Sequence, residues 1–253
     1  MKPKIILWDI ETSHLEVRSW SLWDKYIHHE NIIEDWYIIC AAYKELGKKR
    51  VHSVSLLDDP TRFGLNHKDD YHVIEHMHEV LSGADAIIHH FGDAFDIKKF
   101  NARAIYHGFD PLPSIVQIDT VKIAKSKFKF TSNKLDYLGA YFGIGKKIPT
   151  DNNLWVRCEN GERKAIKEMV KYNKQDVLLL EKVYEILKPY VPARLNFNHF
   201  TSDRVCPTCG GNHLTINKRR LTRAGKMIQL QCQDCGAYSS FPESKTGKEG
   251  IIR

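Results

Sequence analysis

Nowhere in its 253 residues does the chain run to the roughly 18 consecutive apolar positions that a bilayer-crossing helix needs, so no membrane span is expected. The opening MKPKIILWDIETS reaches Asp9 and Glu11 too soon for a secretory leader or an anchor, which points to a soluble, cytoplasmic protein. A G-x-x-x-x-G-K-[ST] phosphate loop is missing, so ATP-driven activity is not indicated. No internal repeat is present, which excludes a solenoid. Cysteine is scarce, at six residues, and its spacing matters more than its number. At 42% hydrophobic and 27% charged residues the composition is globular rather than disordered. The length suits one large domain with a small appendage.

What is present divides near residue 200. Before it, β-rich runs at 4–10, 36–43, 51–57, 86–90 and 114–119 alternate with helical spacing at 71–81, 95–106, 133–142 and 163–187. That alternation predicts an α/β layer fold with a mixed sheet flanked by helices over residues 1–195. After it come four cysteines and a basic surplus: residues 196–253 carry nine Lys/Arg against four Asp/Glu, while the rest is balanced at 29 against 27. Such a basic appendage suits contact with a polyanion. Residues 200–245 form the expected small domain, and 246–253 a flexible tail.

Two C-x-x-C-G knuckles, Cys206-Pro-Thr-Cys209 and Cys232-Gln-Asp-Cys235, are separated by 22 residues. Four thiolates satisfy one tetrahedral Zn²⁺, and each knuckle supplies two from a single turn. The segment resembles a zinc ribbon followed from Val205 to Phe241. Two disulfides are the alternative, disfavoured by the cytoplasmic reading. His213 is a further potential ligand, but the cysteine set is complete without it. Cys40 and Cys158 stand alone and read as packing residues. Between the knuckles Lys218, Arg219, Arg220, Arg223 and Lys226 read as the tip of a hairpin. Phosphate contact is favoured over a merely solvated surface.

The carboxylates carry the chemistry. In Ile5-Ile-Leu-Trp-Asp-Ile-Glu-Thr12 the apolar run predicts a central strand, from whose C-terminal end Asp9 and Glu11 project on one face. Such neighbouring acids repel unless a cation compensates them; the bland alternative is a strand end fraying into solvent. Asp96, in Gly92-Asp-Ala-Phe-Asp96, follows a strand and opens a helix. Tyr172 and Asp176 lie four apart on the long helix and face the same way.

In this order the three stretches resemble the DEDD superfamily of 3′–5′ exonucleases, which have an RNase H-like fold. D-I-E-T matches the first motif, G-D-A-F-D the second and Y-x-x-x-D the third. The tyrosine four residues before Asp176 marks the DEDDy type. The resemblance covers residues 4–187 and includes the segment 133–143 found between the second and third motifs. One position departs from it: the second motif commonly reads H-N-G-x-x-F-D, and Phe91 stands where the asparagine would be, free to stack on a base or to pack inward.

The resemblance implies two Mg²⁺ or Mn²⁺ ions held by Asp9, Glu11, Asp96 and Asp176, with Tyr172 orienting the attacking water, and hydrolysis from a 3′ end to nucleoside 5′-monophosphates. One structural Zn²⁺ would sit in the ribbon. The implied partner is a single-stranded 3′ end, DNA being favoured over RNA, with a replication or repair protein docking on the ribbon as a further expectation. Two alternatives stay open: a nucleic-acid-binding adaptor that has lost catalysis, and a structure-selective endonuclease on the same fold.

Overall fold

A computed structural model describes residues 3–21, 23, 26–192, 196–201, 204–223 and 225–243; the expected tail at 246–253 lies outside them. The apolar run near the start forms β1 (Ile5–Thr12). A two-stranded ribbon, β2 (Glu16–Val17) and β3 (Ile32–Glu34), precedes β4 (Ile38–Glu45) and β5 (His52–Ser55), and β6 (Ala86–His89) and β7 (Val116–Asp119) follow. The five longer strands form one sheet in the order β5-β4-β1-β6-β7. β1 is central, antiparallel to β4 and parallel to β6, so the sheet is mixed as expected.

Strand alternation explains why β1 reads as continuously apolar. Ile6, Trp8 and Ile10 enter one buried cluster, while Ile5 and Leu7 enter another on the opposite face. Helices cover both faces: α1 (Pro60–Leu65), α2 (Tyr71–Ser82), α3 (Asp96–Tyr106), α4 (Thr120–Lys127), α5 (Leu135–Tyr141), α6 (Asn152–Glu159) and α7 (Arg163–Leu187). The first half of α7 gives Ala165, Ile166, Met169 and Tyr172 to the Trp8 cluster. Its second half gives Val177, Leu180, Val183 and Leu187 to the Leu7 cluster. The changeover falls between Tyr172 and Val177, beside the end of β1. A buried network pins the other helices: Asp70 accepts from the backbone N–H of Ile38 at 2.8 Å and from Arg103 Nη2 at 2.6 Å, and it meets His107 Nε2 at 2.6 Å. Removing one partner from such a network costs about 3–5 kcal/mol.

The sequence pattern did not expose α1, α4 and α6. β7 passes into α4 with no connecting loop, because Asp119 ends the strand and caps the helix, accepting from Val121 N at 2.9 Å. Among the described residues no helix is long and apolar enough to cross a membrane.

Beyond residue 200 stands a separate three-stranded antiparallel sheet of β8 (Leu214–Thr222), β9 (Gly225–Cys232) and β10 (Tyr238–Pro242). Phe197 joins the two parts: it packs against the Leu7 cluster, and its N–H donates to Pro207 O at 3.1 Å.

Candidate active site

Two residues apart on β1, Asp9 and Glu11 reach the C-terminal end of the sheet and remain partly exposed there. α7 passes this edge and presents Asp176, only 1% exposed. One carboxylate oxygen from each of the three lies within 4.8 Å of the others. Asp96, the first residue of α3, is buried nearby and accepts from Ile10 N at 3.3 Å. It stands outside the tight trio but is the strongest repulsive charge on Asp9.

Burial first, then mutual repulsion, shapes the electrostatics. Desolvation followed by the charges of Asp96, Glu11 and Asp176 holds the Asp9 carboxyl well above its ordinary range. Burial likewise lifts Glu11 to about 8, although Lys147 opposes the shift, and lifts Asp96 to about 6 against the pull of His89. Asp176 is raised by burial and partly restored by Lys147. Its Oδ1 is buried with no hydrogen-bond partner. Four acids, one of them with an orphaned oxygen, face a single lysine. That donor set is all oxygen and in excess of negative charge, which fits hard divalent cations such as Mg²⁺ or Mn²⁺.

Two neighbours escape sequence reading. Lys147 donates to Asp176 Oδ2 at 2.6 Å and to Tyr172 Oη at 3.3 Å. Burial disfavours its charge, but Asp176 and Asp9 outweigh that and hold it above the ordinary lysine range. Asn173 donates from Nδ2 to Asp9 Oδ2 at 2.6 Å. Lys147 sits in a loop without periodicity; the only sequence signal for it is that clustered acids need a cation. Tyr172 faces Asp176 as the spacing predicts, edge-on to Trp155 at 6.0 Å. Burial, then the Asp176 charge, pushes its hydroxyl up to about 12, so it stays protonated and acts as a hydrogen-bond donor.

The loop carrying Asp96 is tightly built. A Cβ at Gly92 would lie 1.7 Å from the His89 ring, so only glycine fits. His89 is fully buried, with Nε2 2.9 Å from Asp93 Oδ1, and Asp93 also pairs with Lys122.

In the small sheet the four knuckle cysteines cluster. Cys206 and Cys235 sulfurs are 3.8 Å apart, and those of Cys209 and Cys232 are 3.7 Å apart. Sulfurs at about 2.3 Å from a common tetrahedral centre would be separated by roughly this much, whereas a disulfide closes to about 2.05 Å. All six cysteines are free thiols. Gly210 and Gly236 take φ of +75° and +78° behind the two knuckles, a left-handed turn that favours glycine. The set fits Zn²⁺. His213 stands apart, 2.6 Å from Asp234 Oδ1. Lys218, Arg219 and Arg220 run along β8 instead of clustering at the hairpin tip, because β8 extends to Thr222 and leaves only Arg223 in the described turn. Lys226 lies on β9, and Arg219 pairs with Glu243 at 3.3 Å.

A sequence profile described as the RNase H superfamily matches residues 51–188, more than half of the chain. The chain belongs to the RNase H superfamily. The matched span of this RNase H superfamily protein includes Asp96, Tyr172 and Asp176 and begins after Asp9 and Glu11. Among solved structures, the family B DNA polymerase from the hyperthermophilic archaeon Pyrobaculum calidifontis is similar, with a TM-score of 0.52 and 13% identity. The likeness covers 87% of this chain but only 31% of that polymerase, and it shows shared fold. No curated protein matches the chain. Superfamily membership supports a nuclease-type function of the kind that uses divalent metals.

The carboxylate shifts predict how metal binding depends on pH. A folded acid whose pKa is raised keeps a proton that the unfolded chain has released, so its contribution to stability falls as pH rises from 4.5 to about 8 for Glu11. A divalent cation relieves that repulsion. The gain in Tm on adding Mn²⁺ is therefore expected to grow up to pH about 8, with protons released on binding at lower pH. Comparing melts with and without Mn²⁺ at each pH cancels other titrating groups. A gain that stayed flat or shrank would contradict metal binding at these acids.

Proposed function

We propose that the protein is a 3′–5′ exonuclease of the DEDDy type that acts on single-stranded ends, DNA in preference to RNA. The observation that carries this reading is the meeting of Asp9 and Glu11 from β1 with Asp176 from α7, with Tyr172 one turn away on the same helix. Asp9, Glu11, Asp96 and Asp176 would hold two Mg²⁺ or Mn²⁺ ions, which neutralise charge on the scissile phosphate and lower the pKa of the attacking water. Tyr172 keeps its proton and directs a hydrogen bond at the incoming water. Asn173 fixes the orientation of Asp9 through its 2.6 Å bond. Lys147 places an ammonium where a phosphodiester would approach. Water adds to phosphorus, the 3′-oxygen of the penultimate nucleotide leaves with a proton, and a nucleoside 5′-monophosphate is released.

In the same reading Cys206, Cys209, Cys232 and Cys235 hold one Zn²⁺. The cations of β8 and β9 grip strand phosphates, and a replication or repair protein docking there is the alternative use of that sheet.

Matched linear and circular single strands, DNA and RNA, supplied with Mg²⁺ or Mn²⁺ test the function. Linear strands should be shortened from the 3′ end to 5′-mononucleotides, and circles should survive. Nicked circles would make the protein an endonuclease, and binding without any cleavage would make it an adaptor.

A further inference from the structure

Phe91 carries the main departure from the expected second motif, and its backbone is unusual. Its φ is +70°, one of two positive values at non-glycine residues among those described. A bulky side chain there is a genuine outlier, and such strain persists only where the surroundings hold it. Here they do: Asp119 Oδ1 accepts the Phe91 N–H at 3.0 Å, and the Phe91 carbonyl accepts from Ala94 N and Phe95 N, each at 3.1 Å. The strained conformation does not bury the ring. Phe91 is 50% exposed and belongs to neither buried cluster of the main domain. Inward packing therefore does not explain it.

The ring opens onto a cleft of about 620 Å³. Val121 and Leu135 give this cleft apolar wall, and Lys125, Lys134 and Lys147 outnumber the one acid in its lining, Asp136. Lys125 Nζ lies 6.0 Å from the Phe91 ring centroid. Lys147 lines the cleft and also bonds Asp176, so one side chain links the cleft to the carboxylate cluster. An exposed aromatic face, apolar walls and ammonium groups together match the parts of a nucleotide: a flat base and a charged phosphate.

We propose that this cleft is a nucleotide subsite in which Phe91 stacks on a base within the last few positions of the substrate's 3′ end, while Lys125 and Lys134 meet the adjoining phosphates. The proposal rests on the reading of the protein as acting at single-stranded ends, and it deepens that reading by naming how the end is held. Stacking needs only a π-face, so the subsite accepts all four bases and favours purines through their larger area.

The test measures binding of short single strands in Ca²⁺, with hydrolysis assayed separately in Mg²⁺. Phe91→Ala should weaken binding by about 5- to 100-fold, the range seen when a stacking aromatic is removed. Phe91→Trp should restore it, with its fluorescence quenched by the bound strand. A strand with one abasic site, moved through the terminal positions, should bind the wild type more weakly at one of them, and at that position Phe91→Ala should cause no further loss. Phe91→Gly should bind as weakly as Phe91→Ala yet melt no lower than the wild type, because glycine relieves the positive φ. Equal losses on intact and abasic strands at every position, binding by Phe91→Ala within twofold of the wild type, or a lower Tm for Phe91→Gly would each overturn the proposal. The nuclease reading fails separately: strands held through Phe91 but never shortened in Mg²⁺ would leave the subsite standing and remove the exonuclease.

Discussion

Asp9→Asn and Asp176→Asn should each lower hydrolysis by about 10³-fold or more, since a metal-held phosphate is stabilised by several kcal/mol in the transition state. The two variants should part company in stability. Asp9 is held above its ordinary pKa by burial and by three neighbouring acids, and its Oδ2 accepts from Asn173. An amide keeps the acceptor and removes the repulsion, so metal-free Asp9→Asn is expected to melt higher than the wild type near neutral pH. At Asp176 the substitution also takes away the partner of Lys147, 2.6 Å distant, and little gain is expected. Calorimetry with and without Mn²⁺, beside a 3′-end assay, reads all four quantities. Near wild-type cleavage by either folded variant would remove these carboxylates from the chemistry.

The second large effect belongs to the cysteine sheet. Among the described residues its buried core cluster is only Cys206, Leu214, Ile228, Leu230, Cys232 and Ala237, and two of these are knuckle cysteines. So little apolar surface cannot hold three strands in place, whereas structural zinc contributes about 10–16 kcal/mol in isolated fingers. Cys206→Ser in the full chain should lose the one bound Zn²⁺ and unfold this sheet while the main domain still melts cooperatively. Cleavage of short strands in Mg²⁺ should survive, and affinity should fall. If the β8 and β9 cations neutralise phosphates, the variant's log–log salt slope should be shallower by roughly 0.7 for each phosphate it no longer engages. Arg219→Ala, Arg220→Ala and Arg223→Ala combined should reproduce much of that change with zinc retained. Arg219 already shares its charge with Glu243, so Arg220 and Arg223 should dominate. Unchanged affinity and slope in both variants would turn the sheet into a docking surface for protein.

The strands of the main sheet are legible in sequence because each is a short apolar run bounded by a turn, and α7 because its apolar residues recur over 25 positions. Asp9, Glu11, Asp96, Tyr172 and Asp176 stand out because each sits at a fixed offset from such an element. What stays hidden is whatever depends on tertiary approach. Lys147 comes from a loop and meets Asp176 across 29 positions of sequence. Asn173 reaches Asp9 across 164. α4 is obscured for a local reason, since Asp119 belongs to a strand and a helix at once. The hairpin cations are legible as charges but misplaced, because nothing in their spacing says where β8 ends.

A single helix, α7, carries Asp176 and ends beside the cysteine sheet. Tyr184, two turns beyond Asp176 on α7, lies close enough to Cys209 and Cys235 to feel their charge, and Pro189 just past the helix touches the space over Gly236. At about 1.5 Å per residue, the eight positions from Asp176 to Tyr184 span roughly 12 Å. If the protein trims 3′ ends and the second sheet grips strands, α7 would act as a ruler that sets how far from the trimmed terminus a strand is held. Strands shorter than that reach would be cut without being held, so the advantage of the second sheet should appear as a step in affinity with strand length.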